Sequence, residues 1–300
     1  MEPKLKNLID CKSKVECSNL ALQHSSTYIH QLTDHINNSC KLSSIDINNK
    51  IDYLAGCLTI TLDFPTQELE FLRARMCEDE KFCYADDLSY IKNTTPTFPK
   101  IGRLNLAGSA LFYGSVIVKK DDSALRVALS EVGAKELDHL NVLRSYQKAG
   151  CDLCLRIIGI WDYVRRDERP YYIGIDVFEY YKEARAYMGK KFSPELLLAY
   201  ELTDRFFADI LSRKGSEALY QVTSTLSSIF MSEHIDGVLY SSVHAKGEPV
   251  VALTPAAVDS KLEHRLACHV MVEKCYGYEF YKYKTIAKAS ITKNTSKLNW

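Results

Sequence analysis

Residues 101–115 read Ile-Gly-Arg-Leu-Asn-Leu-Ala-Gly-Ser-Ala-Leu-Phe-Tyr-Gly-Ser, a polar turn followed by a short apolar run. A run of this kind, ending on small polar residues, is typical of a strand whose end faces a cleft. Asn105 and Gly108 are residue types that suit a tight turn where the main chain approaches a ligand. Arg103 carries a guanidinium, whose planar donors suit bidentate contact with a pyrophosphate. The segment therefore predicts a strand preceded by an anion-binding turn.

The residues that follow have the pattern of an amphipathic helix. Within Asp122–Val132, the apolar side chains at Leu125, Ala128, Leu129 and Val132 form one stripe. Glu131 lies on the flank of this stripe, near the core but outside it. Most glutamates on a helix surface are simply solvated, so periodicity alone gives Glu131 either a solvated position or one that points into a cleft.

The rest of the middle of the chain alternates between strand and helix signals. Short apolar runs at 237–242 and 250–253 are typical of strands, and the first closes on Ser241 and Ser242. Ser193 and Pro194 have the residue types of an N-cap and a first helical position, and a second helix is expected over 217–232. Because the alternation does not follow a strict βαβ rhythm, we expect an α+β fold.

Three segments differ in texture along the chain. Residues 1–65 are polar and helix-prone and predict a small helical N-terminal appendage; residues 66–258 predict the main domain. In residues 259–300 we expect an edge strand over the alternating aromatic stretch 276–283, followed by a polar tail. Aromatic residues in a row can also stack on nucleic-acid bases, but packing of a half-buried strand is the simpler interpretation.

The composition excludes several classes of function. The formal net charge is zero, from 38 basic and 38 acidic side chains, so the general electrostatic signature of a nucleic-acid-binding protein is absent. No apolar run approaches the roughly 20 residues that span a bilayer, and the N-terminus lacks a secretory signal. We therefore expect a cytoplasmic protein without nucleic-acid or membrane partners. The ten cysteines have no framework spacing, and the lone pair Cys151 and Cys154 is half a zinc site at most, so no metal is expected.

Taken together, several short pieces of the chain resemble the RES domain, a family named for an arginine, a glutamate and a serine. The resemblance covers residues 70–256, and no single motif in it is long. Its pieces, in the family's order, are Phe71–Arg75, Gly102-Arg103-Leu104-Asn105, Gly108, Tyr113, Glu131-Val132, Tyr220-Gln-Val-Thr223, Ser241-Ser242 and Gly247–Leu253. The chain departs from the family at Leu104, where some members have tryptophan, at Glu248, where asparagine is common, and in a longer loop at 119–123. Glu248 leaves open how the contacts near the serine strand are made.

The resemblance implies an ADP-ribosyltransferase-like fold and the consumption of NAD, as in toxins of bacterial toxin–antitoxin pairs. It implies that Arg103, with Arg73 or Arg75, binds the phosphates and that Tyr113 packs on the nicotinamide. Glu131 would accept from a ribose hydroxyl and stabilise positive charge on the ribose, and Ser241 or Ser242 would bind the carboxamide or the ribose. Asn105 and Tyr220 would complete the NAD site.

Three acceptors fit such a site: water gives a glycohydrolase, phosphate a phosphorylase, and a protein side chain an ADP-ribosyltransferase. A catalytically silent module that binds a nucleotide is the alternative from another class, although the intact set Arg103, Tyr113, Glu131 and Ser241–Ser242 argues against it. An antitoxin protein and a second copy of the chain are the candidate protein partners. The residues themselves select none of these.

Overall fold

The computed structural model describes residues 3–14, 17–66, 68–78, 81–92, 99–118, 121–231, 234–245, 247–292 and 295–300. The helices are α1 Pro3–Lys12, α2 Ser18–Ile36, α3 Ser44–Asp52, α4 Ala85–Leu88, α5 Ser123–Glu131, α6 Ile160–Arg166, α7 Ile175–Lys191, α8 Pro194–Ser212, α9 Glu217–Phe230 and α10 Pro255–Lys261, and a π-helical turn spans Tyr53–Cys57. The strands are β1 Asp63–Thr66, β2 Glu70–Cys77, β3 Phe112–Val116, β4 His139–Gln147, β5 Leu153–Ile157, β6 Gly237–Ser241, β7 Pro249–Leu253, β8 Leu262–Gly277, β9 Phe280–Ile291 and β10 Leu298–Asn299. The fold is therefore mixed α+β, as the alternation of signals predicts.

The chain forms two compact units that interleave along the sequence. A helical unit contains residues 1–62, 101–106 and 156–232, and a sheet unit contains residues 63–100, 107–155 and 233–300. The three segments expected from sequence texture are consecutive, so they do not coincide with this division. The N-terminal helices α1–α3 share a unit with α6–α9.

The helical unit is built from amphipathic helices whose ends carry the expected caps. Ser43 Oγ accepts from the main-chain N–H of Asp46, and the Asp46 carboxylate accepts from Ser43 in return, which makes a capping box at α3. Ser193 Oγ accepts from Leu196 N at 3.2 Å at the start of α8, which confirms the predicted N-cap. Contacts such as His35 Nε2 to Gln221 Oε1, at 3.1 Å, join the N-terminal helices to α9.

The sheet unit is built around a sheet in which the described strands follow the order β1-β5-β6-β7-β3-β2-β4-β8-β9-β10. Each neighbouring pair from β6 through β10 is antiparallel. Neighbours such as β3 and β7 lie far apart in the sequence, so local pattern does not predict their pairing. The predicted strands at 110–115, 237–242 and 250–253 are all present, with ends shifted by one to a few residues.

The expectation of one edge strand over 276–283 is wrong, because the chain reverses direction within this stretch. β8 ends at Gly277 and β9 begins at Phe280, so the stretch forms the tip of a long hairpin. Tyr278 and Glu279 form a two-residue turn with positive φ values of 51° and 63°. A turn with positive φ at both central residues matches the right-handed twist of the paired strands. The alternation of aromatic residues continues through the turn, and the Asn-Gly or Asp-Gly pair usual in such turns is missing. For these two reasons the sequence pattern does not predict the turn.

The two faces of the sheet carry separate apolar cores, which fixes where functional side chains point. On one face, Ala128 and Leu129 of α5 pack against Ala74 and Leu140 of the sheet. On the other face, Phe71 and Phe112 pack with residues of β7 and α10. Side chains alternate between the two faces along each strand. No helix of the described ranges is long and apolar enough to cross a membrane.

Candidate functional site

Glu131 and Ser242 are in direct contact, although 111 positions separate them in the sequence. Glu131 is the last residue of α5, and its side chain is exposed. Ser242 follows the last residue of β6 and is only 1% exposed. The Ser242 hydroxyl donates a hydrogen bond to Glu131 Oε1. A buried hydroxyl therefore holds one oxygen of a carboxylate that remains open to solvent.

The hydroxyl of Ser242 is itself fixed by the main chain of the loop that follows β6. Its oxygen accepts from His244 N at 3.2 Å and from Ala245 N at 2.9 Å. The main chain of Ser242 donates to Glu248 O at 2.8 Å, so the position at which the chain departs from the RES pattern contributes a backbone contact here. These contacts leave the Ser242 proton directed at Glu131, which makes Ser242 a positioning group.

Ser241 has a different role from its neighbour. Its hydroxyl accepts from Gly247 N at 3.0 Å, and Gly247 has a φ of 86°, which favours glycine. Ser241 therefore closes the loop behind the site, and it is Ser242 that contacts Glu131. The sequence names the serine pair but does not distinguish its members, because the distinction depends on which face of the strand each residue occupies.

Tyr113 lies on the same face of the sheet as α5. Register pairs Leu72 with Ser115 and Tyr113 with Ala252, and Ser115 Oγ donates to Ala124 O of α5 at 2.7 Å. Side chains two residues apart share a face, so the partly buried ring of Tyr113 projects on the side of Glu131. The structure therefore places Tyr113 on the face that carries α5, and it brings two of the predicted residues, Glu131 and Ser242, into contact.

Arg73 and Arg75 project from the opposite face, since they share the parity of Phe71 in β2. Arg73 donates to Leu88 O at 3.1 Å and to Tyr113 O at 2.8 Å, and its guanidinium lies 5.6 Å from the Phe112 ring centre. Burial, and then the charge of Arg75, lower the pKa of Arg73 to about 9, so it stays charged at neutral pH. The sheet separates these arginines from Glu131, and Arg73 contacts the main chain of Tyr113.

In the helical unit, Arg103 caps the C-terminal end of α8. Its Nη1 donates to Leu211 O at 2.9 Å and to Arg213 O at 2.8 Å, where the helix leaves carbonyl groups without intrahelical partners. The guanidinium also lies 5.9 Å from the centre of the Tyr220 ring. Its Nε and Nη2 atoms donate to no described residue, so the anchored guanidinium keeps free donors for a ligand.

Asn105 and Gly102 close the turn that carries Arg103. Gly102 N donates to Asn105 O at 3.0 Å, and a Cβ on Gly102 would overlap the side-chain oxygen of Asn105. Asn105 Nδ2 donates to Leu106 O at 3.2 Å. Gly108 has a φ of 81°, as expected of a tight turn. Asn105 is buried, and its contacts with Gly102 and Leu106 shape the turn.

The sequence analysis missed two residues that pack against predicted ones. Gly215 precedes α9, and any Cβ there would overlap the hydroxyl end of Tyr220. Tyr281 OH lies 3.2 Å from Ser130 Oγ, next to Glu131 in α5. A glycine five residues before a tyrosine carries no recognisable signal. The alternation over 276–283 predicts an edge strand for Tyr281 and does not predict the return of its side chain to α5 through the hairpin.

Metal ligands do not converge in this protein's described residues: no group of three or more His, Cys, Asp or Glu side chains is placed to hold an ion. The ten cysteines are free thiols, and Cys154 lies in β5 as the apolar run after it predicts. Comparison of the chain with protein-family models, with curated proteins and with solved structures finds no match.

Proposed function

We propose that this protein cleaves the bond between nicotinamide and ribose in NAD, with Glu131 as the catalytic carboxylate. The observation that carries the proposal is the contact between Glu131 and Ser242. The resemblance to the RES domain requires a glutamate at a helix end and a serine at a later strand end to meet. Helix periodicity alone does not bring Glu131 to Ser242, which lies 111 positions away in the sequence.

The chemistry explains why a fixed, solvent-accessible carboxylate is needed. When the bond between C1′ of the ribose and N1 of the nicotinamide breaks, the electron pair leaves with the neutral nicotinamide and positive charge develops on the ribose. A carboxylate held beside the ribose stabilises that charge more in the transition state than in the ground state. Water or phosphate then forms the new bond to C1′, and an attacking water loses a proton.

The neighbouring residues have supporting roles in this proposal. Ser242 fixes one oxygen of Glu131, which leaves Oε2 to accept from a ribose hydroxyl. Tyr113, on the same face, offers a ring on which nicotinamide packs. Arg103 belongs to the helical unit, where its Nη1 is held by α8 and its Nε and Nη2 can bind an anion such as phosphate. Arg73 supports Tyr113 through the main chain, and neither Arg73 nor Arg75 is assigned to the phosphates.

The direct test is nicotinamide release from NAD by the purified protein, with and without inorganic phosphate. We expect release in the wild type and at least a ~100-fold lower rate in Glu131→Gln, the loss that removal of one electrostatic group typically causes. Glu136→Gln, at an exposed glutamate shortly after α5, is the matched control and should retain full activity. Full activity in a folded Glu131→Gln variant would contradict the proposal.

The products of the same reaction identify the acceptor. ADP-ribose indicates water, a phosphorylated ADP-ribose formed only with phosphate indicates a phosphorylase, and label transferred to protein indicates an ADP-ribosyltransferase. NAD depletion is our first choice, because no recognisable protein-substrate loop occurs in the sequence. NAD that binds but is not cleaved would identify the silent nucleotide-binding module.

A toxin role and its partners follow from the same proposal. Expression of the wild-type chain in bacterial cytoplasm should deplete NAD and arrest growth, and Glu131→Gln should do neither. An antitoxin would restore growth by binding the wild-type protein. Analytical ultracentrifugation with and without NAD measures whether the active species is a homo-oligomer.

A further inference from the structure

A cavity in the helical unit, which we call the Asp204 cavity, has no part in the proposed NAD chemistry. Its walls come from α6 to α9 and from the residues that follow the π-helical turn, with aromatic rings at Trp161, Tyr200, Phe207 and Phe230. The cavity measures about 30 Å³ and opens to solvent through a wider depression. About 10–15 Å³ admits one water-sized group, so the enclosed part holds a group the size of one or two waters.

The polar groups at this cavity leave one carboxylate without a cation. Arg185 and Glu201, which also line it, form an ion pair at 2.6 Å. Asp162, on α6 beside Asp204, pairs with Arg165, Arg166 and Arg205. Asp204 makes no ion pair with any described residue, and its Oδ2 is buried without a hydrogen-bond donor.

Asp204 accepts from the main-chain N–H groups of Gly159, Asp162 and Trp161 at the start of α6, but its Oδ2 has no donor, and a buried unsatisfied oxygen of an acidic group is costly. The surrounding packing is otherwise satisfied: Trp161 Nε1 donates to Ile60 O at 3.1 Å, and Tyr200 OH donates to Cys57 O at 2.7 Å. Trp161 and Tyr200 are therefore held in place by main-chain acceptors, and Trp161 and Phe207 are held further by edge-on packing against Tyr181 and Phe230. Aromatic faces attract cations and repel anions.

We propose that the Asp204 cavity binds an organic ammonium ion with a short apolar or aromatic tail, the ammonium group lying against Asp204 and the tail against the aromatic walls. An ammonium group is close to water in size, so it fits the enclosed part, and the tail occupies the wider depression. The ligand supplies the positive charge that no described side chain gives Asp204. An anion would face the Asp204 charge, and a neutral apolar ligand would leave that charge unpaired.

Intrinsic fluorescence reports on this site, because the chain contains two tryptophans and Trp161 lines the cavity. In a Trp300→Phe background the signal comes from Trp161 alone. Benzylammonium is the probe and benzyl alcohol is its uncharged match in shape. Isothermal titration of the wild-type chain gives the same comparison without the background substitution.

At pH 8 we expect benzylammonium to bind at least about tenfold more tightly than benzyl alcohol, and Asp204→Asn to abolish that preference. Asp209→Asn, on the same helix but paired with Arg213 at the surface, is the matched control and should bind as the wild type does. Binding should weaken below pH 7 as Asp204 takes up a proton, while the ammonium stays charged as a lysine does. Equal binding of amine and alcohol, unchanged binding by folded Asp204→Asn, or no binding would each overturn the proposal.

Discussion

The hydroxyl of Ser242 has three hydrogen-bond partners, and one of them is the Glu131 carboxylate. Its conformation is therefore set by the loop that follows β6, and through it the orientation of Glu131 is set as well. This arrangement predicts two separable effects of removing the hydroxyl. One concerns stability, and the other concerns catalysis through Glu131.

In Ser242→Ala, the main-chain N–H groups of His244 and Ala245 lose their acceptor, and Glu131 loses its donor. We expect the free energy of unfolding to fall by about 1–3 kcal/mol, the cost of leaving buried partners unsatisfied. We also expect kcat for NAD cleavage to fall by about tenfold with little change in KM, because the effect acts on the transition state. Denaturant titration and steady-state kinetics measure the two quantities.

A double-mutant cycle with Glu131→Gln tests whether Ser242 acts through Glu131. If it does, the loss of kcat in the double variant should be close to that of Glu131→Gln alone. Additive losses would show that Ser242 acts independently, as a group that contacts NAD. Ser241→Ala is the matched control, since its hydroxyl contacts Gly247 N and not the carboxylate.

Arg103 has a structural contact and a proposed ligand contact, and substitution separates them. Arg103→Ala should lower the free energy of unfolding by about 1 kcal/mol, because the C-terminal carbonyls of α8 lose a cation. It should also raise KM for NAD by at least about tenfold, the worth of one charge-assisted hydrogen bond. Arg213→Ala removes a nearby arginine whose side chain pairs with Asp209 and should leave KM unchanged. An unaltered KM in Arg103→Ala would restrict Arg103 to capping.

At the scale of elements, the close packing of β6 against β7 leaves no room for a side chain at Gly237. A Cβ on Gly237 of β6 would overlap the main-chain oxygen of Ala252 in β7, and this backbone atom cannot move aside. Gly237→Ala should therefore destabilise the protein by about 1–3 kcal/mol, as overpacking does. Gly189 in α7 has open space around it, so Gly189→Ala should stabilise by about 0.5–1 kcal/mol. Thermal unfolding of both variants checks the opposite signs.

Elements whose ends are fixed by neighbouring residue types, such as caps and turn residues, could be predicted from the sequence. Elements without such residues could not. Ser193 and Pro194 fix the start of α8 because a side-chain acceptor and a preset φ act within one turn. The reversal at Tyr278 and Glu279 has no such residues, and the alternation of aromatic residues continues across it, so the sequence pattern predicts one strand. Glu131 is intermediate: its place on the helix was predictable, but its contact with Ser242 depends on strand pairing across the sheet.

At the scale of the whole molecule, the fold class could be predicted from the sequence, but the order of the strands in the sheet could not. The mixture of helix and strand signals predicts an α+β fold. The strand order, however, pairs β7 with β3 and β4 with β8, and each of these pairs is separated by more than a hundred residues in the sequence. Such pairings are decided by the burial of whole faces and leave no short pattern. The interleaved units have the same cause, since residues 1–62 and 156–232 meet through packing that no linker or composition change marks.

Stability of the whole molecule should depend on pH through Asp204. Burial, and then the charge of Asp162, raise the pKa of Asp204 from 3.8 to about 7, against an opposing effect of the main-chain N–H groups of Gly159, Asp162 and Trp161. Between pH 4 and 7 the folded protein therefore keeps a proton that the unfolded chain releases. The free energy of unfolding falls as pH rises through this window, by on the order of 4 kcal/mol.

Two histidines of the sheet unit act in the opposite direction. Burial lowers the pKa of His264 and of His269, so their contribution to stability increases as pH rises toward 6.5. The Asp204 contribution is isolated by subtracting the pH profile of Asp204→Asn from that of the wild type, both measured by urea unfolding with Trp161 fluorescence in a Trp300→Phe background. We expect Asp204→Asn to be the more stable variant at pH 8 and to lose this advantage by pH 4. Parallel profiles across pH 4–8 would show that Asp204 titrates normally, and the Asp204 cavity would then have no buried charge for a cation to neutralise.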